Sequence, residues 1–242
     1  MEKPAAATAA RSRFVVWLHG LGDSGRANEP VAGYAFAGAR WAFPTAPTAP
    51  VTCNRGARMP SWFDIHDTPI TSKSVRGEED LLRSVQGVHE MIDREISAGT
   101  SPEDVFVFGL SQGGALSIAS VLLYPKTLGG CAVFSGFLPF ASSFASRVTA
   151  EAKKTPVLWI HGRADFLVPI EAGQDGTKFL RGIGMSCEFK VYDELGHELA
   201  PYELEYCERW AGKGSSEQER EGVERGVPRS KHSCCGFRIF SR

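Results

Sequence analysis

The run Val105-Phe106-Val107-Phe108-Gly109-Leu110-Ser111-Gln112-Gly113-Gly114-Ala115-Leu116 constrains this chain more than any other stretch. Four β-favouring apolar residues lead into Gly109, and an apolar, alanine-rich segment, Ala115 to Leu123, follows Gly114. The order is strand, sharp turn, helix. Glycines on both sides of Ser111 allow a tight turn, so the G-x-S-x-G spacing predicts a hydroxyl held up at a strand end. The N–H groups that open the next helix then face the same point. A serine hydroxyl is a poor nucleophile until a base takes its proton and donors await the oxyanion. This turn meets half of that need. The bland alternative is a glycine-rich turn with no chemistry, and the flanking strand and helix patterns weigh against it.

Strand-like and helical stretches alternate through the rest of the chain. Phe14 to Leu18 reads as a strand ending at His19-Gly20, and Ala39 to Phe43 as a short apolar segment ending at Pro44. Thr45 to Thr52, rich in proline and threonine, reads as loop. Glu78 to Ile96 carries helical periodicity through Leu81, Leu82, Val85, Val88, Ile92 and Ile96, with acidic residues in its first turn. Strand 104–108, helix 112–123, strands 129–134 and 156–161, helix 170–181, strand 186–193 and helix 201–210 follow. Such alternation predicts an α/β fold, a mostly parallel central sheet with helices on both faces, with reactive groups at the carboxyl ends of the strands.

At 242 residues and 43% hydrophobic content, the chain suits one domain with a full core. The expected organisation is a disordered leader over 1–13, a catalytic domain over 14–210 and a disordered tail over 211–242, where Gly, Ser, Glu, Arg and Lys dominate. A net charge of −1 argues against a nucleic-acid partner. No apolar run approaches the roughly 20 residues of a membrane span, and the leader lacks a secretory-type core, so a cytoplasmic location is expected. Six cysteines without a C-x-x-C pair suit a reducing compartment. Cys131 and Cys187 fall in expected strands; Cys234-Cys235 in the tail could accept a lipid.

In α/β-hydrolases the acid and then the histidine follow the serine along the chain. His161, His197 and His232 follow Ser111, but only the last two also follow the candidate acids, and His232 falls in the expected tail. His197, in Leu195-Gly196-His197-Glu198, stands between the last strand and the last helix and is the candidate base. For the acid, Asp165 and Asp193 both stand near strand ends. Asp193 is only four residues before His197 on the same strand end, a poor geometry for supporting its ring. Asp165, beyond Trp159-Ile160-His161-Gly162, is the candidate. In role, Asp165 would hold the His197 tautomer while His197 takes the Ser111 proton. For the oxyanion hole, the backbone N–H of Gln112 is one candidate donor, and that of Leu21, in His19-Gly20-Leu21-Gly22-Asp23, the other.

With these residues in place, the chain resembles the acyl-protein thioesterase and small carboxylesterase family, including its plant branch. The matching stretches are Leu18-His19-Gly20-Leu21-Gly22-Asp23, Ser61-Trp62-Phe63-Asp64, Gly109-Leu110-Ser111-Gln112-Gly113-Gly114, His161-Gly162 with Asp165 and Val168-Pro169, and Gly196-His197. They occur in family order across about residues 14–210. The resemblance implies an α/β-hydrolase fold and hydrolysis of thioesters or oxygen esters by Ser111, Asp165 and His197 without a cofactor or metal. Its substrates would be acylated proteins, as in depalmitoylation, or small acyl esters, with at most transient membrane contact and a weak homodimer as the partners. Phe137 stands where many members have tryptophan, Glu198 where serine is frequent, and Ile65 to Arg76 has its own composition.

Apolar residues cluster near the candidate loops: Trp62, Phe63, Ile65, Phe137, Leu138, Phe166, Leu167 and Val168. They are candidates for an acyl-binding site, or for ordinary loop and core packing. Three other readings stay open: a short-chain esterase or deacetylase, a lysophospholipase, and a non-catalytic ligand receptor that keeps a triad.

Overall fold

The computed structural model describes residues 13–32, 36 and 38–212. Apart from Arg13, Ala211 and Gly212, the expected leader and tail lie outside these residues, as do His232, Cys234 and Cys235. Six strands form one parallel sheet: β1 (Phe14–Leu18), β2 (Arg40–Ala42), β5 (Val105–Leu110), β6 (Gly130–Phe134), β7 (Val157–Gly162) and β8 (Cys187–Tyr192). Their spatial order is β2-β1-β5-β6-β7-β8. The helices are α1 (Gly25–Ala32), α2 (Glu79–Ser97), α3 (Gln112–Leu123), the short α4 (Ala141–Ala145) and α5 (Ile170–Gly182), followed by α6 over 201–212.

Side chains alternate across a strand with period two, and the central strands use both faces. Val16, Val107, Val133 and Trp159 point into one core with Leu81, Val88, Ile118 and Leu180 of α2, α3 and α5. Trp17, Phe108, Phe134 and Ile160 point into the other with Ala32 of α1 and Leu204, Cys207 and Ala211 of α6. The sheet is therefore covered on both faces. Helix α2 buries the stripe Leu81, Val85, Val88 and Ile92, as its periodicity predicts. Helix α3 is buried from Gln112 through Leu122. A helix apolar on every side must be enclosed, and α3 lies between the sheet and α2.

Two expectations need correction. Thr45 to Thr52 is not all loop: β3 (Thr48–Val51) pairs antiparallel with β4 (Ala57–Pro60), Thr48 opposite Pro60 and Val51 opposite Ala57. A two-stranded ribbon leaves each strand an unpaired edge, which accommodates the missing N–H of Pro50. The last helix does not stop at 210: Ala211 is buried, and the helical residues run through 212. Helices α1 and α4 escaped the sequence reading because both are short and α1 holds Pro30.

Candidate active site

Ser111 sits between β5 and α3 with φ +55° and ψ −117°, a conformation that costs a non-glycine residue energy. The surroundings hold it there. Its N–H donates to the Phe134 carbonyl at 2.8 Å, and its own carbonyl accepts from Ala115 N–H at 3.0 Å. The flanking glycines are needed for contact distance. A methyl on Gly109 would lie 2.2 Å from the Gly113 carbonyl oxygen, and one on Gly113 would lie 2.0 Å from that of Leu18. Both approaches draw the start of α3 down onto the ends of β1 and β5.

Two further strand ends converge on this turn. His197, on the loop after β8, brings Nε2 to 2.9 Å from Ser111 Oγ. Asp165, on the loop after β7, brings Oδ2 to 2.7 Å from His197 Nδ1. A carboxylate only accepts, so Nδ1 carries a proton toward Asp165 and Nε2 is left to accept the Ser111 O–H. The other Asp165 oxygen accepts from the N–H groups of Leu167 at 3.0 Å and Val168 at 2.8 Å. Burial opposes ionisation of Asp165, but the hydrogen bonds from His197 and the Val168 N–H outweigh it and hold the carboxyl below its usual range. Asp193, the competing acid, is exposed and pairs with Arg163 at 2.7 Å.

His161 is a residue the sequence reading passed over, because it precedes the acid on a strand. It is fully buried, and its Nε2 donates to the Val168 carbonyl at 2.8 Å, so it closes the Asp165 loop. Burial keeps this ring neutral, with its pKa pushed down. Its place in His161-Gly162, four residues before Asp165, was the available signal.

The loop after β1 comes up beside the serine. A methyl on Gly20 would lie 3.6 Å from Ser111 Cβ. Among the described residues, neither Leu21 N–H nor Gln112 N–H donates to an acceptor. Two unpaired donors thus flank the turn that carries Ser111 Oγ.

The apolar candidates divide into two groups. Phe63, Ile65, Phe137, Leu138 and Val168 are buried in the core shared with α2 and α3. Phe63 meets Phe137 edge to face, ring centres 6.4 Å apart. Trp62 is also buried, and its indole N–H donates to the His19 carbonyl at 2.9 Å. Phe166, by contrast, is 88% exposed and Leu167 40%. The segment from Ile65 to Arg76 is tied to the Asp165 loop by Ile70 N–H donating to the Leu167 carbonyl at 2.7 Å.

Among the described residues no helix is long and apolar enough to cross a membrane. A family model described as phospholipase/carboxylesterase matches residues 4–211. A rice protein (Oryza sativa subsp. japonica) named a probable inactive carboxylesterase is 73% identical, over 96% of this chain and 97% of that protein. The crystal structure of Arabidopsis thaliana SOBER1 superposes with a TM-score of 0.81 at 54% identity, covering 85% of this chain and 99% of that one. Acyl-protein thioesterase 1 of Schizosaccharomyces pombe is 36% identical over 79% of this chain and 86% of its own length. Strand order, elbow geometry and these likenesses agree: the chain belongs to the phospholipase/carboxylesterase family of α/β-hydrolases and is a carboxylic ester hydrolase.

Proposed function

We propose that the protein hydrolyses short-chain carboxylic esters and thioesters through an acyl-enzyme on Ser111. The single observation that carries the reading is the continuous hydrogen-bonded line from Ser111 Oγ through His197 to Asp165. In this mechanism His197 Nε2 takes the hydroxyl proton as Oγ attacks the carbonyl carbon. Asp165 remains ionised and stabilises the imidazolium, and His197 returns the proton to the leaving thiol or alcohol. Water then repeats the sequence on the acyl-enzyme. The N–H groups of Leu21 and Gln112 receive the oxyanion.

Packing supports the preference for short acyl groups. A tunnel wide enough for a methylene chain is also wide enough for water, so its lining would be solvent-accessible. Phe137 and Ile65 are 0% exposed and Phe63 and Leu138 3%, so the space these side chains occupy is already filled. In this reading they would back a shallow site, with the exposed Phe166 and Leu167 at its rim. Acylated protein cysteines remain within this class when the acyl group is short, because the rest of such a substrate stays outside. Contact with a membrane surface would be brief and made through that rim, and a weak homodimer would use the same exposed apolar residues.

The test is kcat/KM on p-nitrophenyl esters from acetyl to palmitoyl, for wild type and Ser111→Ala. A maximum at acetyl or butyryl, abolished in the variant, is expected. A rate that rises toward palmitoyl would refute the short-chain reading; equal rates in the variant would refute the serine mechanism.

A further inference from the structure

We infer that His19, Trp62 and the Gln112 side chain are positioning residues that aim the two oxyanion donors, His19 by orienting the Gly20–Leu21 peptide plane. The inference rests on the acyl-enzyme reading above and identifies what holds its oxyanion hole in register.

The tautomer of His19 follows from its neighbours. The ring is fully buried, and Ala46 N–H, which can only donate, lies 3.0 Å from Nε2. Nε2 therefore accepts, the proton sits on Nδ1, and Nδ1–H donates to the Gly20 carbonyl at 2.7 Å. Burial pushes the ring's pKa down and keeps it in this neutral form. Asp23 N–H donates to the same carbonyl at 3.2 Å. A trans peptide is planar, and its C=O and N–H point in opposite directions. Pinning the Gly20 oxygen on one side therefore aims the Leu21 N–H to the other, with Gly20 itself against Ser111.

The preceding peptide is held as well. Trp62 Nε1–H donates to the His19 carbonyl at 2.9 Å, and its ring lies 5.0 Å from the imidazole. Gln112 then links this assembly to the elbow. Its Oε1 accepts from Trp62 N–H at 3.1 Å, and its Nε2 donates to Ser61 Oγ at 2.9 Å and to the Phe63 carbonyl at 2.7 Å. The residue whose backbone N–H is one donor thereby grips, with its side chain, the segment that fixes the other. Such agreement matters because donors act on the transition state only when they are set before the charge develops. It also reassigns Trp62, whose indole N–H is committed to the oxyanion loop.

The experiment measures kcat, KM and the Ki of an aryl trifluoromethyl ketone, whose serine adduct carries an oxyanion. The set is wild type, His19→Ala, His19→Asn, His19→Gln and Trp62→Phe, each checked for a native melting transition. Asn can place an N–H near the position of Nδ1, whereas Gln reaches the position of Nε2. The expected order of kcat is wild type, then Asn, then Gln and Ala together. His19→Ala should lose on the order of 10²-fold in kcat with KM little changed, and Ki should rise in parallel. Trp62→Phe, which keeps the ring and deletes one donor, should lose kcat several-fold and covers the case in which His19 variants do not fold. Unchanged kcat in folded variants, a loss of kcat without a rise in Ki, or Gln rescuing as well as Asn would overturn the inference. A wild type whose turnover survives Ser111→Ala would instead fail the acyl-enzyme reading, so the two failures are distinguishable.

Discussion

At the scale of single residues, the site is a set of donors and acceptors with one consistent proton assignment. Ser111→Ala removes the hydroxyl proposed to attack without crowding the strained turn, so kcat should fall by about 10⁴-fold or more while the melting temperature holds. Asp165→Asn puts an N–H where His197 Nδ1–H now finds an acceptor. The ring should then favour the wrong tautomer, with a kcat loss on the order of 10⁴-fold at unchanged far-UV circular dichroism. Glu203 makes a different prediction. It is fully buried near the start of α6, one oxygen accepting Ala200 N–H at 2.7 Å and the other unpartnered, and burial pushes its carboxyl up to about 7. A raised folded-state value means the native state holds the proton more tightly than the unfolded chain. The contribution is complete below the unfolded range near 4.5 and is lost as pH rises through about 7. Glu203→Gln should therefore be worth on the order of 2 kcal/mol more at pH 8 than at pH 5. Urea melts of both proteins at the two pH values check this; equal differences would refute it.

At the scale of elements, function depends on how closely backbones approach. Gly173 on α5 lies against His161 and Trp159: a methyl there would sit 2.6 Å from His161 Nδ1 and 3.0 Å from Trp159 Nε1. Since His161 closes the Asp165 loop, Gly173→Ala should both destabilise and misplace the acid. Overpacking of this kind costs about 1–3 kcal/mol, or roughly 3–10 °C in Tm for a chain of this size, and kcat should fall several-fold with it. A variant of wild-type Tm and kcat would show that α5 can shift without cost. Gly113→Ala is the harsher case, since its methyl would meet the Leu18 carbonyl, where no rotamer can yield. It should give little folded protein, measured as soluble yield. The β3–β4 hairpin belongs at this scale too. Gly22 N–H donates to the Pro60 carbonyl at 2.9 Å, so the hairpin is tied to the loop after β1.

For the whole molecule, one parallel sheet brings residues 19–21, 111, 165 and 197 to the carboxyl ends of its strands. Truncation after residue 210 would remove the buried Ala211 from α6, whereas a chain ending at 212 keeps it. The longer truncation product should match the full chain in Tm and ester hydrolysis, and the shorter one should melt lower. Much of this was legible beforehand. Alternating strands and helices, the G-x-S-x-G turn, and the order serine, aspartate, histidine are local or ordinal properties, and sequence carries both directly. Period two in β5 and the 3.6 period in α2 follow from backbone geometry alone. What the sequence could not convey is which polar groups spend their hydrogen bonds on one another across long separations. His19 reads as a glycine-loop neighbour, Trp62 as a pocket aromatic and Gln112 as a backbone donor. Only the fold, by stacking β1, the 61–63 segment and α3 within hydrogen-bond reach, makes them a single scaffold. The complete burial of Phe137 and Ile65 is likewise a tertiary result, because burial depends on what packs against a side chain and not on the side chain itself.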